Sequence, residues 1–168
     1  NVTGDLGEST GGVTDALRQR NMFFFGGDLA EVEHVMTHEM VHQFQYDIFA
    51  RGHSGNGLQQ LASSQPPLWF AEGMAEYLSV GPNHPATEAI VRDAALNGNL
   101  PTIEKMTKQP DRYFPYRYGE SFWAYIGSRW GDEIIGEIMQ AMTTVGIERA
   151  FKRHTGFDLD ELSDEWRE

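Results

Sequence analysis

His38 and His42 stand four residues apart with Glu39 beside the first, in the run His38-Glu39-Met40-Val41-His42. On a helix, side chains four apart lie one turn above each other, with Cβ atoms about 5–6 Å apart. Two imidazoles so placed can both reach one zinc ion at about 2.0–2.1 Å. Glu39 is rotated off that face, where it reaches an activated water rather than the metal. A carboxylate there can take the proton of the attacking water and pass it to a leaving amine.

A third ligand is available from the segment Leu68-Trp69-Phe70-Ala71-Glu72-Gly73-Met74-Ala75-Glu76-Tyr77. Glu72 and Glu76 are again four apart, on one face of an otherwise apolar helix. Two carboxylates buried together need compensation, which a metal and its histidines supply. The expected division places Glu72 on the metal and Glu76 behind it, accepting a hydrogen bond from a ligand histidine. Gly73 lowers helix propensity by about 1 kcal/mol relative to alanine, which suits a close approach of two helices.

These residues need helices to hold them, and helical spacing dominates the chain. Apolar residues Val32, Val35, Met36, Met40, Val41, Phe44 and Ile48 recur with helical period over 29–49. They occupy more than one stripe, which predicts burial on several sides. Asp28 is the expected N-cap, with Glu31 three residues on. Further helices are predicted over 68–80, 85–96, 102–108, 118–130, 132–143, 147–154 and 159–168, with Gly and Pro as stops. Residues 1–14 read as loop. Residues 21–25 (Asn-Met-Phe-Phe-Phe) form one convincing strand, whose partners are either missing or weakly signalled. The expected fold is mainly α, or α+β with a minimal sheet, in a single domain over 1–168. It divides into a loop and edge strand over 1–28 and a helical catalytic region over 29–168.

Composition removes several functions. The formal charge of −12 argues against nucleic acid and anionic membranes, whose binding uses clustered Lys and Arg. The chain has no cysteine, so thiol nucleophiles, thiolate sites and disulfides are excluded. No apolar run approaches the roughly 20 residues of a membrane span, so membrane insertion is not expected. A first residue of Asn rather than an initiator suggests a piece of a larger protein.

His38-Glu39-x-x-His42 followed by Trp69-x-x-Glu72-Gly73-x-Ala75-Glu76-Tyr77 resembles the gluzincin metallopeptidases, the thermolysin-like, peptidase MA-like group. The resemblance covers roughly residue 29 to the end. It implies a thermolysin-like zincin helical subdomain, zinc as cofactor, and the glutamate before glycine, Glu72, as third ligand. The segment Tyr116-Arg117-Tyr118-Gly119-Glu120-Ser121 resembles the family's tyrosine segment, followed by a helix ending at Gly131. In that family the tyrosine donates to the developing oxyanion, a role that falls on Tyr116, with Tyr118 as runner-up. The sequence 29–168, with Gly11-Gly12-Val13-Thr14-Asp15-Ala16-Leu17 before it, also resembles peptidase-like domains that precede TolB-type β-propellers in large bacterial proteins. That implies a propeller elsewhere in the parent chain and a periplasmic or secreted bacterial setting.

Other features favour plainer accounts. His34 lies one turn before His38 and is expected behind the ligands or in the core, because three rings on one straight helix converge poorly. His53, His84 and His154 fall in loops or at helix ends, where solvated histidines are expected. Gly7-Glu8-Ser9-Thr10-Gly11 has the letters of a nucleophile elbow but no strand before it. Asp15 stands where aminopeptidase-type relatives grip a substrate amine, yet a loop is the simpler reading. Asn1-Val2-Thr3 is a glycosylation sequon in letters only. The aromatic helix 122–130 is expected as core. The reading is zinc-dependent peptide hydrolysis; the alternative is a non-catalytic zinc-binding or scaffold module of a larger protein.

Overall fold

The computed structural model describes residues 12–15, 20–23, 26–51 and 66–168. Within these, two short strands, β1 (Gly12–Asp15) and β2 (Arg20–Phe23), precede eight helices. The helices are α1 (Leu29–Arg51), α2 (Leu68–Val80), α3 (Pro85–Leu96), α4 (Ile103–Lys108), α5 (Pro115–Trp130), α6 (Glu133–Val145), α7 (Ile147–Thr155) and α8 (Leu159–Arg167). The fold is mainly α, as the periodicity predicts.

The strand predicted from 21 has its partner within the chain. β1 and β2 pair antiparallel, Val13 opposite Met22 and Thr14 opposite Asn21. A Gly-Val-Thr-Asp segment carries too little apolar content to announce itself, so the expected loop over 1–14 is corrected at its end. Residues 1–11, 16–19, 24–25 and 52–65 lie outside the described residues, and with them the sequon, the Ser9 elbow and His53. For Asp15 only the backbone pairing is described.

Packing centres on α2 and α5. Trp69, Phe70, Phe122, Trp123 and Phe151 are fully buried, with Phe70 and Trp123 ring centroids 5.0 Å apart and edge to face. The Trp123 indole donates to the Phe70 carbonyl at 3.0 Å, and the Trp69 indole to Thr107 Oγ1 at 2.8 Å, so neither buried N–H is left unpaired. The aromatic start of 122–130 is therefore core. Pro115 occupies the first turn of α5, where its missing N–H costs nothing. The helix thus begins three residues before the predicted 118 and carries Tyr116 and Arg117 on its first turn.

α1 is not buried on several sides as expected. Met36, Met40 and Phe44 are 40 %, 49 % and 63 % exposed, whereas His38, Glu39, His42, Gln45 and Phe49 are buried. Helical spacing puts Met36, Met40 and Phe44 in one stripe opposite the histidines. The polar arc faces α2 because the carboxylates are there. Asp28 caps the helix as expected, its Oδ1 accepting from Ala30 N–H at 2.9 Å.

Candidate metal centre

One turn of α1 presents His38 and His42 with ring centroids 4.8 Å apart, and α2 brings Glu72 against both. Glu72 Oε2 lies 3.2 Å from His38 Nε2 and 3.1 Å from His42 Nε2, and the two nitrogens are 3.1 Å apart. Atoms bound to a tetrahedral zinc at about 2.0–2.1 Å are separated by about 3.3–3.4 Å. The triangle falls only a few tenths of an ångström short of that, so these residues fit the ion.

The far nitrogen of His42 is hydrogen-bonded, and that of His38 stands in ion-pair contact with a carboxylate. His38 Nδ1 lies 3.1 Å from Glu76 Oε1. His42 Nδ1 is 2.9 Å from Gln45 Oε1, while Gln45 Nε2 donates to the Ala71 carbonyl at 3.0 Å. A carbonyl only accepts, so the Gln45 amide orientation is fixed, and His42 Nδ1 must be the donor. Once neutral, a His42 with its proton on Nδ1 would turn its Nε2 lone pair toward Glu72.

Burial alone would depress His38, but the carboxylates of Glu72 and Glu76 overcome it and raise its pKa to about 9. His42 is likewise raised, against its burial, chiefly by Glu72. Burial acts to raise Glu72, yet the two imidazoles bring it down to about 2. Glu76 is lowered in the same way by His34, His38 and Arg117.

Glu39 is buried beside the pair, at 6 % exposure. Tyr116 stacks on His38, the rings 6.0 Å apart and within 16° of parallel. Burial raises its phenol well above the ordinary value, and the charges of Glu72, Glu76 and Glu39 add to that. Tyr118 faces elsewhere: it packs on the core, and the groups that act on its phenol are Asp93 and Tyr113.

Residues 13–166 match the sequence profile of the family described as BSP, "Peptidase of plants and bacteria". The chain belongs to that family. No curated protein and no solved structure matches it. The match runs from within β1 almost to the end of α8 and takes in every residue of the cluster. As a BSP peptidase, the chain has peptide or protein as its substrate class. Among the described residues no helix is long and apolar enough to cross a membrane.

In this BSP peptidase, two further groups of potential ligands surround the first: His34, His38 and Glu76, and Glu76, His84 and Glu120. Both share Glu76, and Arg117 Nη1 lies 2.7 Å from its Oε2, 2.9 Å from His84 Nδ1 and 3.1 Å from Glu120 Oε2. A guanidinium already stands where a cation would enter the second of these, and close to the other. His84 is therefore not the solvated histidine expected of its position. His154 is also partnered, 3.1 Å from Glu137 Oε2. His34 sits one turn before His38, its Nε2 3.3 Å from Glu76 Oε1.

Sequence reasoning missed Gln45, Arg117, Glu120 and Tyr46. Gln45 had a signal, its place three residues after His42. Tyr46, one turn after His42, stands with its ring 6.5 Å from that imidazole. Burial raises its phenol too, with Glu72 and Glu39 contributing.

Proposed function

We propose that the chain is a zinc-dependent peptide hydrolase of gluzincin, thermolysin-like type. His38, His42 and Glu72 would hold the metal. The observation that carries the reading is the convergence of His38 Nε2, His42 Nε2 and Glu72 Oε2, with Glu39 on the same helical turn as the histidines. The family match supports the peptidase half of the statement; the donor set supports the metal.

Zinc bound there supplies a Lewis acid that polarises a carbonyl and acidifies water. The remaining work belongs to the chain. Glu39 accepts a proton from the attacking water and returns it to the nitrogen of the departing amine. Tyr116 donates a hydrogen bond to the carbonyl oxygen as negative charge builds on it. Its raised pKa keeps that phenol protonated, hence a donor, across the working range. Glu76 and Gln45 hold the two imidazoles in the tautomer that leaves Nε2 unprotonated.

Metal analysis and cleavage assays test this together. The purified protein is expected to carry one zinc and to cleave members of a mixed peptide library. Cleavage should stop with a chelator and return with zinc. A protein that takes up zinc without chelator-sensitive cleavage would instead be a binding module. A protein whose zinc stoichiometry survives Glu72→Ala would need another third ligand.

A further inference from the structure

We propose that Arg117 is a positioning residue for the metal centre, a guanidinium strut that holds Glu76 in the orientation by which Glu76 aims His38. The inference rests on the zinc reading above and names a residue that takes no part in binding the ion.

Glu76 divides its carboxylate between two tasks. Oε1 faces the imidazoles, 3.1 Å from His38 Nδ1 and 3.3 Å from His34 Nε2. Oε2 faces Arg117 Nη1 at 2.7 Å. Fixing Oε2 fixes the carboxylate plane, and so fixes what Oε1 can reach. The carboxylate would otherwise have two easy rotations that take it off His38.

Arg117 is itself anchored. The same Nη1 is 3.1 Å from Glu120 Oε2, one turn along α5, and Thr87 Oγ1 on α3 donates to that oxygen at 2.5 Å. His84, at the start of α3, adds an acceptor at 2.9 Å. The Glu120 side chain is 2 % exposed and that of Glu76 is 7 % exposed, so water does little to screen either charge. Without the cation, two buried carboxylates would lose the charge they share, and Glu76 would turn away from α5. A line of polar contacts thus runs from α3 through α5 to the far nitrogen of a ligand histidine. Outer partners of this kind set ligand orientation, and losing one typically lowers metal affinity about 10–100-fold.

The test measures zinc affinity of metal-stripped protein by competition with a chelating dye, alongside circular dichroism and thermal melting. Arg117→Ala is expected to keep its helical spectrum and bind zinc about 10–100-fold more weakly. Arg117→Lys, which keeps the charge, should recover part of the loss. Glu76→Gln should weaken binding similarly, and the double variant should lose less than the product of the two. Should the alanine variant not fold, Arg117→Gln, closer in size, takes its place with the same expectation. Wild-type affinity in a folded Arg117 variant, even one with a lowered melting temperature, would overturn the proposal, as would losses that multiply in the double variant. Failure of the underlying reading looks different: the wild-type protein would bind no zinc, or bind it equally well after His42→Ala.

Discussion

Gly119 of α5 lies against Gly73 of α2 so closely that a Cβ on Gly119 would stand 2.9 Å from the Gly73 Cα, and nearer still to the Trp69 carbonyl oxygen. Neither helix can retreat, because Trp69, Phe70 and Trp123 fill the space beside the contact. Gly119→Ala is therefore expected to destabilise the protein by about 3 kcal/mol through overpacking. The readout is a lower urea midpoint at unchanged slope. Wild-type stability in that variant would show that the two backbones do not touch.

Glu39→Gln replaces a base with an amide of nearly the same shape. Zinc content should be unchanged, since Glu39 belongs to none of the groups among the described residues that could hold an ion, while kcat falls by roughly 10²–10⁴-fold. Metal analysis and peptide cleavage on one preparation separate the two effects, and full activity would remove Glu39 as the base.

The tyrosines differ in what they face, so their phenylalanine variants should differ too. Tyr116→Phe is expected to raise the barrier by about 3–4 kcal/mol, seen in kcat more than in KM. Tyr118→Phe should leave catalysis near wild type. The reverse result would exchange their roles.

Removing the metal leaves a pH signature. His38 is raised from 6.5 to about 9, so its contribution to stability is complete below pH 6.5 and lost as pH rises through about 9. Glu72 is lowered from 4.5 to about 2, so its contribution is complete above pH 4.5 and lost as pH falls toward 2. Metal-stripped protein should thus be most stable between those ordinary values, and Glu72→Ala should flatten both flanks. Zinc affinity should strengthen from pH 6.5 to 9 as His38 gives up its proton. Denaturant titrations in chelator and dye competition across pH check both.

The histidine pair and the Glu72–Glu76 pair were legible because helical spacing alone sets two side chains on one face. Their alignment across α1 and α2 was legible only as an expectation. Arg117 with Glu120, and His84 with Thr87, are each three apart, but nothing in the spacing joins one pair to the other or to Glu76; α5 reaches Glu76 because two glycines let it close onto α2. The helices 68–80 and 85–96 matched to the residue, each opened by proline and followed by a turn glycine. β1 was missed for want of apolar residues. The expected burial of α1 on several sides fails at Met36, Met40 and Phe44, because the side turned to α2 is taken by His38, Glu39, His42 and Gln45.

That inverted helix bears on the order of assembly. Phe49 is the one fully apolar side chain that α1 buries among its described residues, and His38, His42 and Gln45 reach across to polar partners on α2. The aromatic cluster of α2, α5 and α7 can condense without it. α1 is therefore expected to dock after the rate-limiting barrier of folding. Substitutions at His42 or Gln45 should then hasten unfolding while leaving the refolding rate unchanged.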